Sequence, residues 1–303
     1  MNDHQLPTGA DRTGPPWSEA ELIRLMDVSP SGDGHYVAPA HGSTIRNVVE
    51  AGQLLGAAIV AAAKEAPAHR VVSASMVFSR AAAHDEPLAV DVDVVRAGRT
   101  FGTARVQVSQ REAQCCTGIV LLDAGAPDLI RSAAPLPDVD PPEALSSLDI
   151  PGTEVEGRDM RVVGNAYTPD PDTVGPPELF VWTRFRDAPG AAALQQALLT
   201  QSAGHWTVAA ALRPHPGFGE SMAHSTISTG ITMITMTFHD DADVTQWLLY
   251  GTRVVYTGRG HAQSEGRIHS ADGRLLASYS VHAMVRGFRP GDAAARARTD
   301  TVL

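Results

Sequence analysis

The chain has 303 residues, of which 43% are hydrophobic and 19% are charged, as in folded globular proteins, so wholesale disorder is excluded. Its formal net charge of −10 argues against a nucleic-acid partner, because binding along a phosphate backbone requires a surplus of cations. At ~150 residues per domain, the length predicts two domains.

The sequence contains no signal for a membrane, an export pathway or a metal. No apolar run reaches the ~18 residues of a membrane span, and residues 1–17 lack the apolar centre of a signal peptide. Cys115 and Cys116 are adjacent and form no disulfide framework, and no spacing typical of zinc ligands occurs. We therefore expect a cytoplasmic protein with no metal, no cofactor and no membrane or nucleic-acid partner.

The first long apolar segment, residues 47–64, is free of proline and ends before Pro67, which predicts a buried helix. Valine and aspartate alternate in residues 90–94, a pattern typical of a strand with one buried face. Four strands are predicted after the helix, at about residues 71–80, 88–96, 101–109 and 114–122.

The second half of the chain repeats this pattern after a proline-rich segment. Residues 51–58 match residues 203–210 at four of eight positions, an offset of 152, and Phe78 matches Phe238 at an offset of 160. The difference implies an insertion of eight residues near residues 216–225. The predicted elements are a helix near residues 192–212 and strands near residues 225–239, 247–256, 260–269 and 275–286.

These patterns predict an α+β fold of two repeats, each a long central helix wrapped by a curved antiparallel sheet. The predicted organisation is a flexible N-terminal segment (1–35), a first domain (36–124), a proline-rich linker (125–177), a second domain (178–289) and a C-terminal tail (290–303).

Several motifs resemble the acyl-CoA thioesterase II family, whose members contain two hot-dog domains in one chain. Ala51–Gly56 resembles the family's first-helix motif, Val94–Phe101 a turn, Ala211–His215 the end of the second helix, and Asp272–Ser278 a late strand. The resemblance extends over about residues 47–287, apart from the linker. It implies a double hot-dog fold and a cytoplasmic enzyme that hydrolyses acyl-CoA to a free acid and CoA.

The same resemblance shows where this chain departs from the family. Family members hold the attacking water with an Asp, a Thr or Ser, and a Gln, and these positions correspond here to Gly204, Ile231 and Val281. Gly, Ile and Val side chains can neither accept a proton nor orient a water. A polar residue follows each of these positions: His205, Thr232 and His282.

Glu50 precedes the first predicted helix, and a carboxylate so placed could act as a general base. The helix dipole alone would also favour it there, and a single histidine in an apolar helix often has only a structural role. We expect the catalytic residues to be Glu50, His205 and His282. We expect the substrate-binding residues to be Gly52, Gln53, Gly204, Thr235 and His239.

The sequence is compatible with three functions. The first is hydrolysis of acyl-CoA or acyl-carrier-protein thioesters with a non-standard catalytic set. The second is a hot-dog lyase or isomerase that dehydrates, hydrates or cyclises an acyl or polyketide-like chain. The third is a non-catalytic acyl binder. Assembly into a homo-oligomer is left open.

Overall fold

The computed structural model describes residues 17–40, 48–148, 155–168, 170–223 and 226–288. Within these ranges the chain forms four α-helices: α1 (Glu19–Met26), α2 (Ala51–Glu65), α3 (Ala192–Ala203) and α4 (Trp206–Leu212). Short 3₁₀ helices lie at Pro142–Ala144, Val163–Asn165 and Glu220–Met222.

The strands of the first half are β1 (Trp17–Ser18), β2 (Ser29–Gly32), β3 (His35–Ala38), β4 (Arg70–Phe78), β5 (Leu88–Ala97), β6 (Phe101–Gln110) and β7 (Ala113–Asp123). The strands of the second half are β8 (Val155–Glu156), β9 (Arg158–Val162), β10 (Glu178–Phe185), β11 (Ile227–Phe238), β12 (Leu248–Gly258), β13 (His261–Ser270) and β14 (Leu275–Gly287).

Twelve of these strands form one antiparallel sheet, in the order β2-β3-β5-β6-β7-β4-β11-β14-β13-β12-β10-β9. The two halves of the chain meet where β4 pairs with β11, with Ser75 opposite Thr235. β1 and β8 form a separate parallel pair. Because β4 and β11 pair in the middle of the sheet, neither half leaves an unpaired strand edge there.

The helices pack on one face of this sheet and share one apolar core with it. α2 consists almost entirely of Ala, Gly, Leu, Ile and Val, and its residues from Gly52 to Ala62 are all buried. A helix that is apolar on all sides must be covered on all sides, and here the cover comes from β4 to β7, α1 and α3. No helix within the described ranges is long and apolar enough to cross a bilayer.

The predicted helices and strands are present, with boundaries that differ by a few residues. The predicted helix at residues 192–212 is divided into α3 and α4. Residues 1–16 and the tail at residues 290–303 lie outside the described residues, as does Asn47 at the predicted start of the first helix.

The predicted flexible segment 1–35 is wrong for its described part. α1 begins after Ser18, whose hydroxyl accepts a hydrogen bond from the Glu21 N–H at 3.2 Å, and its apolar face is buried against α2 and α3. The apolar residues of α1, spaced along one helical face, account for this burial: Leu22, Leu25 and Met26. The linker likewise contributes strands β8 and β9.

Candidate active site

A cavity of about 230 Å³ lies between the start of α2, the junction of α3 and α4, the start of β11 and the segment that follows β4. Its walls combine apolar side chains with a small group of polar ones. The polar and charged lining residues are Glu50, Arg80, Tyr167, Gln201, His205, Trp206, Glu220 and Thr229. A concave, mainly apolar site with a few convergent polar groups is the usual form of a small-molecule site.

Glu50 occupies the N-cap position of α2 but does not cap the helix with its side chain. Its backbone is extended, and its Oε2 atom instead accepts two hydrogen bonds from the second half of the chain. The His205 Nε2–H donates at 3.0 Å, and the Gln201 Nε2–H donates at 2.8 Å. The carboxylate is therefore held at the cavity wall by side chains from α3 and from the residue before α4.

His205 reaches Glu50 because the second long helix is interrupted just before it. The His205 N–H bonds to the Ser202 carbonyl, three residues back, at 3.3 Å, instead of continuing the four-residue α-helical pattern. Gly204 has low helix propensity, and kinks are common where Gly and Ser occur together. The local tightening separates α3 from α4 and leaves His205 as the N-cap residue of α4.

A buried arginine orients the glutamine that donates to Glu50. Arg158, on β9, is 9% exposed, and its Nη1–H donates to the Gln201 Oε1 atom at 2.8 Å. The Ser202 hydroxyl donates to the same oxygen at 3.2 Å. Gln201 thus has its amide oriented with the N–H side toward Glu50. Burial lowers the pKa of Arg158, and the negative charge of Glu50 opposes that effect.

The electrostatics keep Glu50 ionised. Burial raises the pKa of its carboxyl, but the positive charges of His205 and Arg158 and the hydrogen bonds from His205 and Gln201 outweigh burial and lower the pKa to about 2. A carboxylate can only accept hydrogen bonds, so the Nε2 atom of His205 must carry a hydrogen. In the neutral imidazole, Nδ1 is then the atom that can accept a proton.

The eight sequence-predicted site residues fall into two groups. Glu50, Gly52, Gly204 and His205 line the cavity. The residues that do not line it are Gln53, Thr235, His239 and His282.

The second group lies elsewhere for identifiable reasons. Gln53 is 1% exposed inside α2, and its amide has no hydrogen-bond partner in the described part of the chain. Thr235 alternates along β11 with buried Ile234 and therefore faces the other side of the sheet, where it borders a groove of about 720 Å³. His239 borders the same groove, and its Nε2 is 2.9 Å from the Ser278 hydroxyl.

His282 follows buried Val281 on β14, so strand alternation turns its side chain outward, and it is exposed. Thr232 sits at an irregularity in the pairing of β11 with β14, and its hydroxyl donates to the His282 carbonyl at 3.2 Å. Of the three polar residues that follow the family's catalytic positions, only His205 lines the cavity.

Of the positions that the family resemblance equates with the water-holding residues, Gly204 and Ile231 form an apolar part of the cavity wall, and Val281 does not line the cavity. A Cβ atom built on Gly204 would lie 3.6 Å from Ile231 Cγ1 and 3.5 Å from Ile234 Cδ1. Val281 is buried opposite Ile234 in the pairing of β11 with β14. This side of the cavity therefore offers no acid or base, and the nearest polar lining residue on β11 is Thr229.

Sequence reasoning missed five polar residues of this site: Arg158, Tyr167, Gln201, Glu220 and Thr229. Arg158 and Tyr167 lie in the predicted linker, where no periodic pattern drew attention to them. Glu220 lies in the predicted insertion. A buried Arg, Gln or Glu within an apolar neighbourhood is a signal only once burial is known.

No group of three or more His, Cys, Asp or Glu side chains within the described ranges is arranged to hold a metal ion. Cys115 and Cys116 are buried on β7, and burial raises the pKa of both thiols.

Comparison with known proteins gives matches along most of the chain. A family model for the acyl-CoA thioesterase N-terminal domain matches residues 39–122, and one for the acyl-CoA thioesterase C-terminal domain matches residues 131–285. Acyl-CoA thioesterase 2 of Haemophilus influenzae is 26% identical over 286 residues, covering 88% of this chain and 96% of that protein.

Solved structures agree at the level of the fold. Acyl-CoA thioesterase II TesB2 from Mycobacterium marinum matches with a TM-score of 0.73 at 22% identity, covering 89% of this chain and 100% of that one. A protein with a hot dog fold from Alicyclobacillus acidocaldarius matches with a TM-score of 0.69 at 17% identity, covering 89% and 99%. The fold is therefore a hot-dog fold.

Proposed function

The chain belongs to the acyl-CoA thioesterase family, and from this premise we propose that it hydrolyses acyl-CoA thioesters to a free acid and CoA. The observation that carries the proposal is the Glu50–His205 pair, joined at 3.0 Å at the wall of the cavity. A base that is oriented by an ionised carboxylate is the arrangement that activates a nucleophile in acyl transfer.

The proposed mechanism uses the pair as base and orienting group. The Glu50 carboxylate accepts from His205 Nε2–H and fixes the tautomer, so that Nδ1 takes a proton from a water as that water attacks the thioester carbonyl carbon. As His205 becomes positive, the adjacent carboxylate stabilises the new charge. Gln201 and Arg158 act as positioning residues, because Gln201 donates to Glu50 and Arg158 donates to Gln201.

The start of α2 supplies donors for the oxyanion. The first N–H bonds of α2 are made by Gln53 and Leu54 to the Glu50 carbonyl, both at 3.1 Å. The N–H groups of Ala51 and Gly52 precede these bonds, and both residues line the cavity. Backbone N–H donors that are already in place stabilise the negative oxygen of a tetrahedral intermediate, and the positive end of the helix dipole adds to this.

This catalytic set replaces the family's usual one. In the proposed site, His205 and Glu50 supply the base that Gly204, Ile231 and Val281 cannot supply, and Thr229 is the hydroxyl on the β11 wall. Gln53, Thr235, His239 and His282 have no part in this set, because none of them lines the cavity.

We infer that the chain is a duplicated hot-dog unit. The strand pairing supports this, because Thr235 lies 160 residues after its partner Ser75, the offset that also relates Phe78 to Phe238. From that pair outward, the strands follow in corresponding order: β7, β6, β5 and β3 in the first half, and β14, β13, β12 and β10 in the second.

Hydrolysis is tested by following thiol release from a panel of acyl-CoA thioesters of increasing chain length, with one acyl-carrier-protein thioester for comparison. The proposal predicts turnover of at least one CoA substrate above the rate without enzyme. Absence of thiol release from the whole panel, at high enzyme concentration, would contradict it.

A second candidate follows from the apolar wall at Gly204 and Ile231, whose side chains cannot form a hydrogen bond to a water. A carboxylate-oriented histidine could instead remove a proton next to the thioester carbonyl and so dehydrate or isomerise the acyl chain. Mass analysis of the same reactions separates the two functions, because a lyase or isomerase leaves the thioester intact.

A further inference from the structure

A second carboxyl group borders the cavity, in a segment that has no equivalent in the first half of the chain. Glu220 lies in the 14-residue connection between Leu212 at the end of α4 and Ile227 at the start of β11. The corresponding connection between α2 and β4 has only four residues, from Ala66 to His69. The longer connection brings Glu220 to the same cavity that Glu50 and His205 border.

The surroundings of Glu220 are unlike those of Glu50. The Tyr167 hydroxyl donates a hydrogen bond to its carboxyl, while its Oε2 atom is buried and has no hydrogen-bond partner among the described residues. Tyr167 is itself held by Trp206, whose ring lies 6.2 Å from the tyrosine ring in an edge-to-face arrangement. Trp206 follows His205, and their rings are 5.8 Å apart.

No cation neutralises Glu220 within the described part of the chain. The other titratable or charged groups that border its cavity are Glu50, Arg80, Tyr167 and His205, and those that border the small adjoining cavity are Asp170 and Arg213. None of the bases among these forms an ion pair with Glu220. Burial raises the pKa of Glu220 to about 7, and the hydrogen bond from Tyr167 opposes burial.

We propose that Glu220 is a catalytic residue, the general acid that protonates the sulfur of the departing thiolate; this rests on the proposed thioester hydrolysis. One carboxyl of the cavity is thus ionised to orient the base, and the other carries the proton that the leaving group needs. Enzymes assign opposite roles to two carboxyl groups in this way, by placing them in environments that separate their pKa values.

The protons and electrons balance without a further reactant. Water bonds to the carbonyl carbon as His205 Nδ1 takes one of its protons, and the C–S bond then breaks with its electron pair going to sulfur. Glu220 gives its proton to that sulfur, so the products are a carboxylic acid and a free thiol. His205 then loses its proton to solvent and Glu220 regains one. An alkyl thiol has a pKa of ~8.5, so proton transfer from a carboxyl near 7 is favourable.

The test is the pH dependence of kcat/KM for the best acyl-CoA substrate in wild type and in Glu220→Gln. A general acid must be protonated, so the wild-type rate should fall as the pH rises above about 7. Glu220→Gln should lower kcat/KM at pH 6 by ~100-fold and abolish this alkaline fall. Glu143→Gln, an exposed carboxyl in the linker, is the matched control and should behave as wild type.

Changing the leaving group of the substrate distinguishes a general-acid role of Glu220 from a purely structural one. With a thioester of an aromatic thiol, whose thiolate departs without a proton, Glu220→Gln should lose less than ~5-fold relative to wild type. Equal losses on both substrates, or an unchanged alkaline fall in the variant, would overturn the inference. A wild-type enzyme that hydrolyses neither substrate would instead overturn the proposed function.

Tyr167→Phe provides an independent readout that does not depend on the Gln variant folding. It removes the hydrogen bond that opposes the raised pKa of Glu220, so the midpoint of the alkaline fall in kcat/KM should move to higher pH. If the alkaline fall in kcat/KM occurs at the same pH in Tyr167→Phe as in wild type, its assignment to Glu220 is overturned.

Discussion

Glu50 owes its charge to groups that reach it from the other half of the chain. Two hydrogen bonds and two positive charges counteract the burial of this carboxyl, and its pKa falls from the ordinary 4.5 to about 2. An acid whose folded-state pKa is depressed stabilises the folded state above its unfolded pKa, and this contribution is lost as the pH falls toward the folded pKa.

Glu50→Gln is therefore predicted to lower the free energy of unfolding at pH 5 by on the order of 2–3 kcal/mol, and to have little effect near pH 2. Urea unfolding of wild type and variant between pH 6 and pH 2.5 measures the difference. Glu112→Gln, on an exposed turn, is the control. A difference that does not shrink as the pH falls would contradict the pKa assignment.

At the level of single residues, the sequence predicted part of the candidate site. Glu50 and His205 could be proposed because each lies within two residues of a glycine in a recognisable helix motif. His282 follows a position that the family resemblance marks, but the alternation with buried Val281 and Ile234 turns both His282 and Thr235 away from the cavity. Arg158 and Glu220 could not be predicted, because the pKa of each side chain depends on its burial by distant parts of the chain.

The packing of α2 against α3 positions these side chains. A Cβ atom on Gly52 would lie 2.5 Å from the Thr200 carbonyl oxygen and 2.7 Å from Gln201 Cα, both backbone atoms that cannot move aside alone. The glycine lets the start of α2 approach the residue that donates to Glu50. The close packing of α2 on α3 therefore requires a glycine at position 52, beside the cavity.

Gly52→Ala is predicted to force α2 and α3 apart, because the added methyl overlaps backbone, and to destabilise the protein by ~1–3 kcal/mol. It should also lower kcat/KM by displacing Gln201 from Glu50. Thermal unfolding and kinetics together measure both effects. Gly287→Ala has nothing within 4 Å of its Cβ and should be neutral. A Gly52→Ala variant as stable and active as Gly287→Ala would refute this packing.

The elements themselves were largely predictable, since apolar runs and alternation identify α2 and most strands. The flexible segment through residue 35 was mispredicted. It contains α1, a short helix that is stabilised by packing its apolar face against α2 and α3, and this packing cannot be read from the local sequence. The interruption at Gly204 was also missed, although Ser202 and Gly204 together are a signal for a kink.

The two halves behave as one molecule because their strands and helices join. The sheet continues across β4 and β11, where the Ser75 and Thr235 hydroxyls are 2.8 Å apart, and one apolar core includes residues of both halves. Neither half can expose its share of this core without cost.

Unfolding is therefore predicted to occur in one cooperative transition, with far-UV circular dichroism and tryptophan fluorescence giving the same midpoint in urea. Three of the four tryptophans, Trp182, Trp206 and Trp247, lie in the second half of the chain, and Trp17 lies in the first. Fluorescence is therefore weighted toward the second half, whereas circular dichroism reports on both halves. Two separated transitions would show that the halves fold independently.

The central claim is that Glu50 and His205 act as a unit in thioester hydrolysis, and a double-mutant cycle on kcat/KM tests it most directly. Glu50→Gln and His205→Gln should each lower kcat/KM by ~100-fold or more, and the double variant should be no slower than the His205 variant, because a carboxylate that orients an absent base contributes nothing. His261→Gln, exposed on β13, should retain the wild-type rate. Losses that multiply in the double variant, or single variants that hydrolyse acyl-CoA as fast as wild type, would contradict the account.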